Sequence, residues 1–218
     1  MRIVLASNNR AKLAELGALF APLAIELVAQ GVLGIDEADE PHCTFVENAL
    51  AKARHAARAA GAAAIADDSG LCVDALGGAP GVASAHFAVV RRDVDDREGH
   101  RRVQDAANNA LLLDRLRDVA DRRASFVSTI VALRFADDPE PLIAVGRWPG
   151  EVLAAPRGDG GFGYDPLVFV PALASTVAEL APAVKNRLSH RAQAADRMLV
   201  LLREEWRLGA KGVERPGS

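Results

Sequence analysis

Apolar and polar residues fall along this chain in short blocks whose period switches between that of a strand and that of a helix. Residues 3–6, Ile-Val-Leu-Ala, form an apolar run broken by Ser7-Asn8-Asn9, which predicts a short buried strand. Leu13, Leu16 and Phe20 then recur at helical spacing until Pro22. Residues 25–29 read as a second strand, and residues 30–43 as an acidic, irregular segment. Thr44-Phe45-Val46-Glu47 has the Thr-x-x-Glu form of a capping box. It predicts a helix running to Ala60, with Phe45, Ala49, Ala53, Ala56 and Ala60 inward and Gly61 as its stop. Residues 63–66 predict a buried strand that ends at Asp67-Asp68-Ser69-Gly70.

The second half is richer in strand patterns. Gly77-Gly78-Ala79-Pro80-Gly81 predicts a loop. Residues 91–102 are strongly charged and read as a solvated connection, followed by a helix over about 105–119. Residues 126–135 and 142–145 predict paired strands joined by Asp137-Asp138-Pro139, and residues 167–170 another strand. A last helix is expected from Ser189, with Ala192, Ala195, Leu199, Leu202 and Trp206 at alternating spacings of three and four. The mixture of elements predicts an α/β fold with a mixed sheet, as one domain or as two lobes sharing that sheet.

Composition narrows the function classes. Half of the 218 residues are hydrophobic, enough for a substantial core. The net charge of −3 supplies no basic field for nucleic acid or anionic membrane, and no apolar run is long enough to span a bilayer. The first residues read as a strand, not a signal peptide. Cys43 and Cys72 lack CxxC spacing and are expected to be reduced core thiols of a cytoplasmic protein. Lysine is scarce: Lys12, Lys52, Lys185 and Lys211 stand among 26 basic residues. A compact ammonium kept against that bias is a candidate functional group.

Four clusters carry candidate chemistry. Ser7-Asn8-Asn9-Arg10-Ala11-Lys12 joins a strand to a helix, so its N–H groups and Lys12 suit an anion, although an ordinary helix cap has the same composition. Glu40, Asp67 and Asp68 are hard oxygen donors of the kind Mg²⁺ takes. The two aspartates converge only if the strand has ended before them, and their division of labour stays open. In Gly160-Gly161-Phe162-Gly163-Tyr164-Asp165-Pro166, glycines permit close backbone approach and two aromatic rings could pack on a planar base, or the stretch is a glycine-rich turn with core aromatics. Lys185 precedes Ser189-His190-Arg191, where Ser189 is a natural N-cap and His190 and Arg191 fall in the first turn; their donors could face a ligand, although an ordinary helix start with solvated charges has the same composition.

Taken in order, these stretches, with Asn48-Ala49, Lys52-Ala53 and the 77–81 loop, resemble the inosine triphosphate pyrophosphatase family over about residues 2–200. The resemblance implies Mg²⁺-dependent cleavage of ITP, dITP or XTP to the monophosphate and pyrophosphate, which clears deaminated purines. It implies Asp68 as the catalytic carboxylate, with Glu40 and Asp68 at the metal. Ser7, Asn8, Asn9, Arg10, Ala11, Lys12, Lys52 and Ser69 are implied at phosphate and sugar. Phe162, Gly163, Tyr164, Asp165, Lys185, His190 and Arg191 are implied at the base. The implied fold is an elongated mixed sheet with flanking helices, in two lobes around a cleft. It would comprise residues 1–208 as a homodimeric domain, with 209–218 a loose tail. Two departures stand out: His86 follows Ser84-Ala85 where the family usually has arginine, and residues 88–102 are unlike its pattern.

Overall fold

The computed structural model describes residues 1–8, 10–23, 25–90 and 97–208. Seven strands are hydrogen-bonded in the order β2-β1-β3-β4-β5-β6-β7. They are β1 (Arg2–Leu5), β2 (Glu26–Ala29), β3 (Ala64–Val73), β4 (Arg123–Leu133), β5 (Leu142–Val152), β6 (Val168–Val170) and β7 (Ser175–Thr176). Among the described residues, five α-helices accompany them: α1 (Arg10–Phe20), α2 (Phe45–Ala60), α3 (Arg97–Arg115), α4 (Pro182–Leu188) and α5 (His190–Glu204). β1 pairs with β2 and β3 in parallel, and β6 pairs with β5 and β7 antiparallel. This is the mixed sheet with flanking helices that the residue pattern predicts.

The chain divides into two compact units. One holds Met1–Asp68, Thr129–Gly146 and the chain from Ala192; the other holds Ser69–Ser128 and Arg147–Arg191. In the first unit, strand alternation sorts the core into two faces. Ile3, Leu5 and Ile65 pack with Leu16 and Phe20 of α1 and with Ala195, Met198 and Leu202 of α5. Val4, Ala64 and Ala66 pack instead with Ala49, Ala53, Ala56 and Ala57 of α2, whose small side chains allow close approach. In the second unit, Leu112 of α3 and Leu116 just beyond its end pack with Leu71, Val73, Phe126, Trp148 and Leu167. Each large apolar side chain fully buried in this way contributes about 1.5–3 kcal/mol.

Several boundaries differ from the sequence-based expectation. β3 does not stop before the acidic pair but continues to Val73, because Leu71 and Val73 carry its apolar pattern into the second unit's core. α3 begins at Arg97, so residues 97–102 are helical; residues 91–96 lie outside the described residues, as do Asn9 and the predicted tail 209–218. α4 was not visible in the pattern. Cys43 is exposed, not a core thiol, and Cys72 is half-buried; both are free. The Thr44 cap forms only in part: its hydroxyl oxygen accepts the Glu47 N–H at 3.3 Å, while the Glu47 carboxylate takes the Thr44 hydroxyl proton.

The β4–β5 hairpin closes on a buried carboxylate. Asp138 accepts from Arg134 N at 3.0 Å, Arg134 Nε and Nη2 at 2.8 Å each, and Glu140 N at 3.0 Å. The Arg134 guanidinium holds this carboxyl well below the usual carboxylate range. The stabilisation is therefore complete above the unfolded value of about 4 and is lost as pH falls below it. Asp138→Asn should lower the melting temperature by a few degrees at pH 7, and thermal melts of variant and parent should converge on acidification. A gap that stays constant down to pH 3 would show that the charge is immaterial.

Candidate active site

The unbroken course of β3 decides where its two aspartates point. Asp67 shares the face of Ile65, and Asp68 that of Ala64 and Ala66. Their partners come from the helices covering those faces. Lys12 of α1 pairs with Asp67 at 3.0 Å, and the Asp67 side chain is fully buried. Lys52 of α2 pairs with Asp68 at 3.3 Å, and Asn48, one turn earlier on the same face, donates to Asp68 Oδ2 at 3.3 Å. Asn48 also holds the loop before α2, accepting from His42 N and donating to His42 O. Sequence reasoning placed Asn48 within a matching stretch but gave it no role; a polar Asn/Lys pair at i, i+4 on an alanine face was the available signal.

Lys52 is the cation on which several carboxylates converge. Glu40, on the half-open loop before α2, reaches the same ammonium at 3.0 Å. Burial favours the neutral amine, but Asp68, Asp67 and Glu40 outweigh it and push the lysine up. Burial pushes Asp68 up to about 6, against the pull of Lys52 and with help from Glu40. Two carboxylates thus converge on one cation, a donor set that suits Mg²⁺, which commonly takes one or two protein carboxylates plus water and substrate phosphate. Among the described residues, no group of three His, Cys, Asp or Glu gathers as a metal site.

Ser7 N donates to Leu5 O at 2.8 Å, and Asn8 lies so close to Gly31 that a Cβ there would meet Asn8 Oδ1 at 2.5 Å. Arg10 and Ala11 open α1.

The second unit gathers the remaining site residues. Lys185 pairs with the buried Asp165 at 2.5 Å. The same Asp165 oxygen accepts from Phe162 N at 2.9 Å, and the Lys185 ammonium lies 4.4 Å from the Phe162 ring centre. Burial pushes the Asp165 carboxyl up, and Lys185 opposes it. Gly161 must be glycine: its φ is +74°, and a Cβ would fall 2.0 Å from Asp165 Oδ2. Of the two readings of Tyr164, a base-packing ring and a core aromatic, the structure shows the second. It is buried in the apolar core with its hydroxyl donating to Ser84 O at 2.9 Å, so it anchors the turn. His190 and Arg191 are buried, not solvated helix-start charges. His190 stacks on Phe126 with ring centres 5.0 Å apart, and Arg191 Nη2 donates to Ser69 Oγ at 3.3 Å.

With this geometry in place, comparison with known proteins is specific. Residues 3–201 match the Ham1 family. The dITP/XTP pyrophosphatase of Methylibium petroleiphilum is 71% identical over 94% of this chain and 99% of its own length. That of Leptothrix cholodnii is 64% identical over 95% of this chain and all of its own. A HAM1 protein from Coxiella burnetii superposes with a TM-score of 0.84 at 43% identity, covering 94% of this chain and 99% of its own. The Staphylococcus aureus Ham1 protein gives 0.81 at 35%, covering 94% and 100%. The fold and the acidic–lysine site define an α/β protein of the nucleotide-hydrolase type. The chain belongs to the Ham1 family.

The Lys185–Asp165 pair gives a direct test. Removing one member of a buried ion pair leaves an uncompensated charge and costs about 3–5 kcal/mol. Lys185→Met should therefore lower unfolding free energy by roughly 3 kcal/mol in urea titrations, and Asp165→Asn in the same chain should recover much of the loss. Additive losses would mean the pair is not coupled.

Proposed function

We propose that this chain is an Mg²⁺-dependent dITP/XTP pyrophosphatase that converts ITP, dITP and XTP to the monophosphate and pyrophosphate, clearing deaminated purines from the nucleotide pool. The observation that carries the reading is the convergence of Glu40, Asp68, Asn48 and Lys52 beside the Lys12–Asp67 pair. The name borne by relatives more than 60% identical over nearly the whole chain supports it. A cytoplasmic homodimer built from residues 1–208 goes with this reading.

The residues divide by chemistry. Asp68 takes the proton of a water whose oxygen attacks the α-phosphorus. The bond from that phosphorus to the bridging oxygen breaks, and pyrophosphate leaves with the electron pair. Lys12 and Lys52 balance the charge that moves onto the leaving group, with Ser7, Asn8, Asn9, Arg10, Ala11 and Ser69 holding phosphate and sugar. Glu40 and Asp68 would hold Mg²⁺, which supplies further charge neutralisation at the phosphates. Phe162, Gly163, Tyr164, Asp165, Lys185, His190 and Arg191 serve the base, Tyr164 by fixing the turn. Donors at the 6-oxo group accept hypoxanthine and xanthine and leave the 6-amino group of adenine mismatched, which costs about 1–3 kcal/mol per unmet buried group.

Pyrophosphate release from dITP or XTP should require Mg²⁺ and cease with a chelator. Asp68→Asn should reduce kcat by at least about 100-fold, the scale of a lost general base. Orthophosphate as first product, or an active Asp68→Asn enzyme, would overturn the assignment. Lys52→Ala should weaken triphosphate turnover far more than folding, read by kinetics alongside circular dichroism; unchanged kinetics would remove Lys52 from the site.

A further inference from the structure

One face of α3 is polar where a packing helix would ordinarily be apolar. Arg101, Asp105 and Asn109 succeed one another at four-residue spacing and so form a single stripe. All three meet the glycine-rich turn. Asp105 Oδ2 accepts from Gly163 N at 2.9 Å, and Asn109 Nδ2 donates to Gly163 O at 2.9 Å. The Arg101 guanidinium carbon lies 5.0 Å from the centre of the Phe162 ring.

Gly163 has a φ of +61°, and no atom of the described residues lies within 4 Å of the place a Cβ would take. Its conformation is held by hydrogen bonds to both of its backbone polar groups, and both come from α3. The neighbouring residues are pinned separately: Phe162 N by Asp165, and the Tyr164 hydroxyl by Ser84 O. The Ser84 carbonyl also accepts from Asn108 of α3 at 3.1 Å. Asn109 shows what the grip requires. Its Oδ1 is buried with no hydrogen-bond partner among the described residues, while its Nδ2 holds Gly163.

We propose that Asp105 and Asn109 are positioning residues for base recognition: by clamping both backbone groups of Gly163 from α3, they fix the ring of Phe162, with Arg101 over it, in the orientation that a purine base meets. The inference rests on the functional reading above and extends it to residues that touch no reacting atom.

The test combines hydrogen exchange with kinetics. Asp105→Ala should abolish exchange protection of the Gly163 amide and raise KM for dITP about tenfold, with kcat within twofold of the parent. Asp105→Asn, which keeps an acceptor oxygen, should restore both. Asn109→Ala, which removes the donor to the Gly163 carbonyl, should keep the parent's circular dichroism spectrum yet also raise KM. Unchanged KM in both alanine variants, in an enzyme that hydrolyses dITP, would overturn the proposal while leaving the function intact. A fall in kcat at constant KM would overturn it as well. A parent chain that releases no pyrophosphate from dITP or XTP would instead sink the functional reading, and with it the proposed link between the clamp and base recognition.

Discussion

Two carboxylates on consecutive residues of a continuous strand cannot share a face, and much of the first unit is arranged around that constraint. Asp67 and Asp68 are both buried, and an ionised carboxylate away from water needs a partner. The pleat sends each to a different covering helix, so each helix carries its own lysine. α1 and α2 are thereby tied to β3 by charge as well as by apolar packing. The two lysines differ in setting: Lys12 meets one aspartate directly, while Lys52 meets Asp68 together with Glu40. That asymmetry separates the aspartates chemically. Asp68 has a second carboxylate converging on the same cation, and Asp67 lies across the strand from it.

Much of the architecture was legible because it rests on short-range periodicity. The alanine face of α2, its stop at Gly61 and the buried start of β3 follow from residue spacing alone. The end of β3 did not. Asp-Asp-Ser-Gly has the composition of a turn, and the strand passes through it because Leu71 and Val73 are claimed by a core assembled from residues distant in the chain. The same limit hid the start of α3. Its first turns are charged and its docking face is polar, so no hydrophobic period marks them.

The candidate site residues were found by composition and order, but their surroundings were not. An aromatic pair flanking Gly163 suggested two rings for one base; the structure puts Tyr164 in the core and leaves Phe162 beside two cations. Nothing local distinguishes the two rings, because the difference is made by the Ser84 carbonyl, eighty residues earlier in the chain. His190 and Arg191 looked like ordinary helix-start charges and are buried instead, one against Phe126 and the other toward Ser69.

The scarcity of lysine has a further chemical consequence. Lys12, Lys52 and Lys185 are each largely shielded and engaged with a carboxylate. Amine-directed reagents such as acylating agents need a deprotonated, accessible nitrogen, and an ion pair withholds both. Modification at these three side chains is therefore throttled by how often each pair opens. With only four lysines in the chain, covalent labelling offers a low-background clock for local breathing at the Lys12–Asp67, Lys52–Asp68 and Lys185–Asp165 pairs separately.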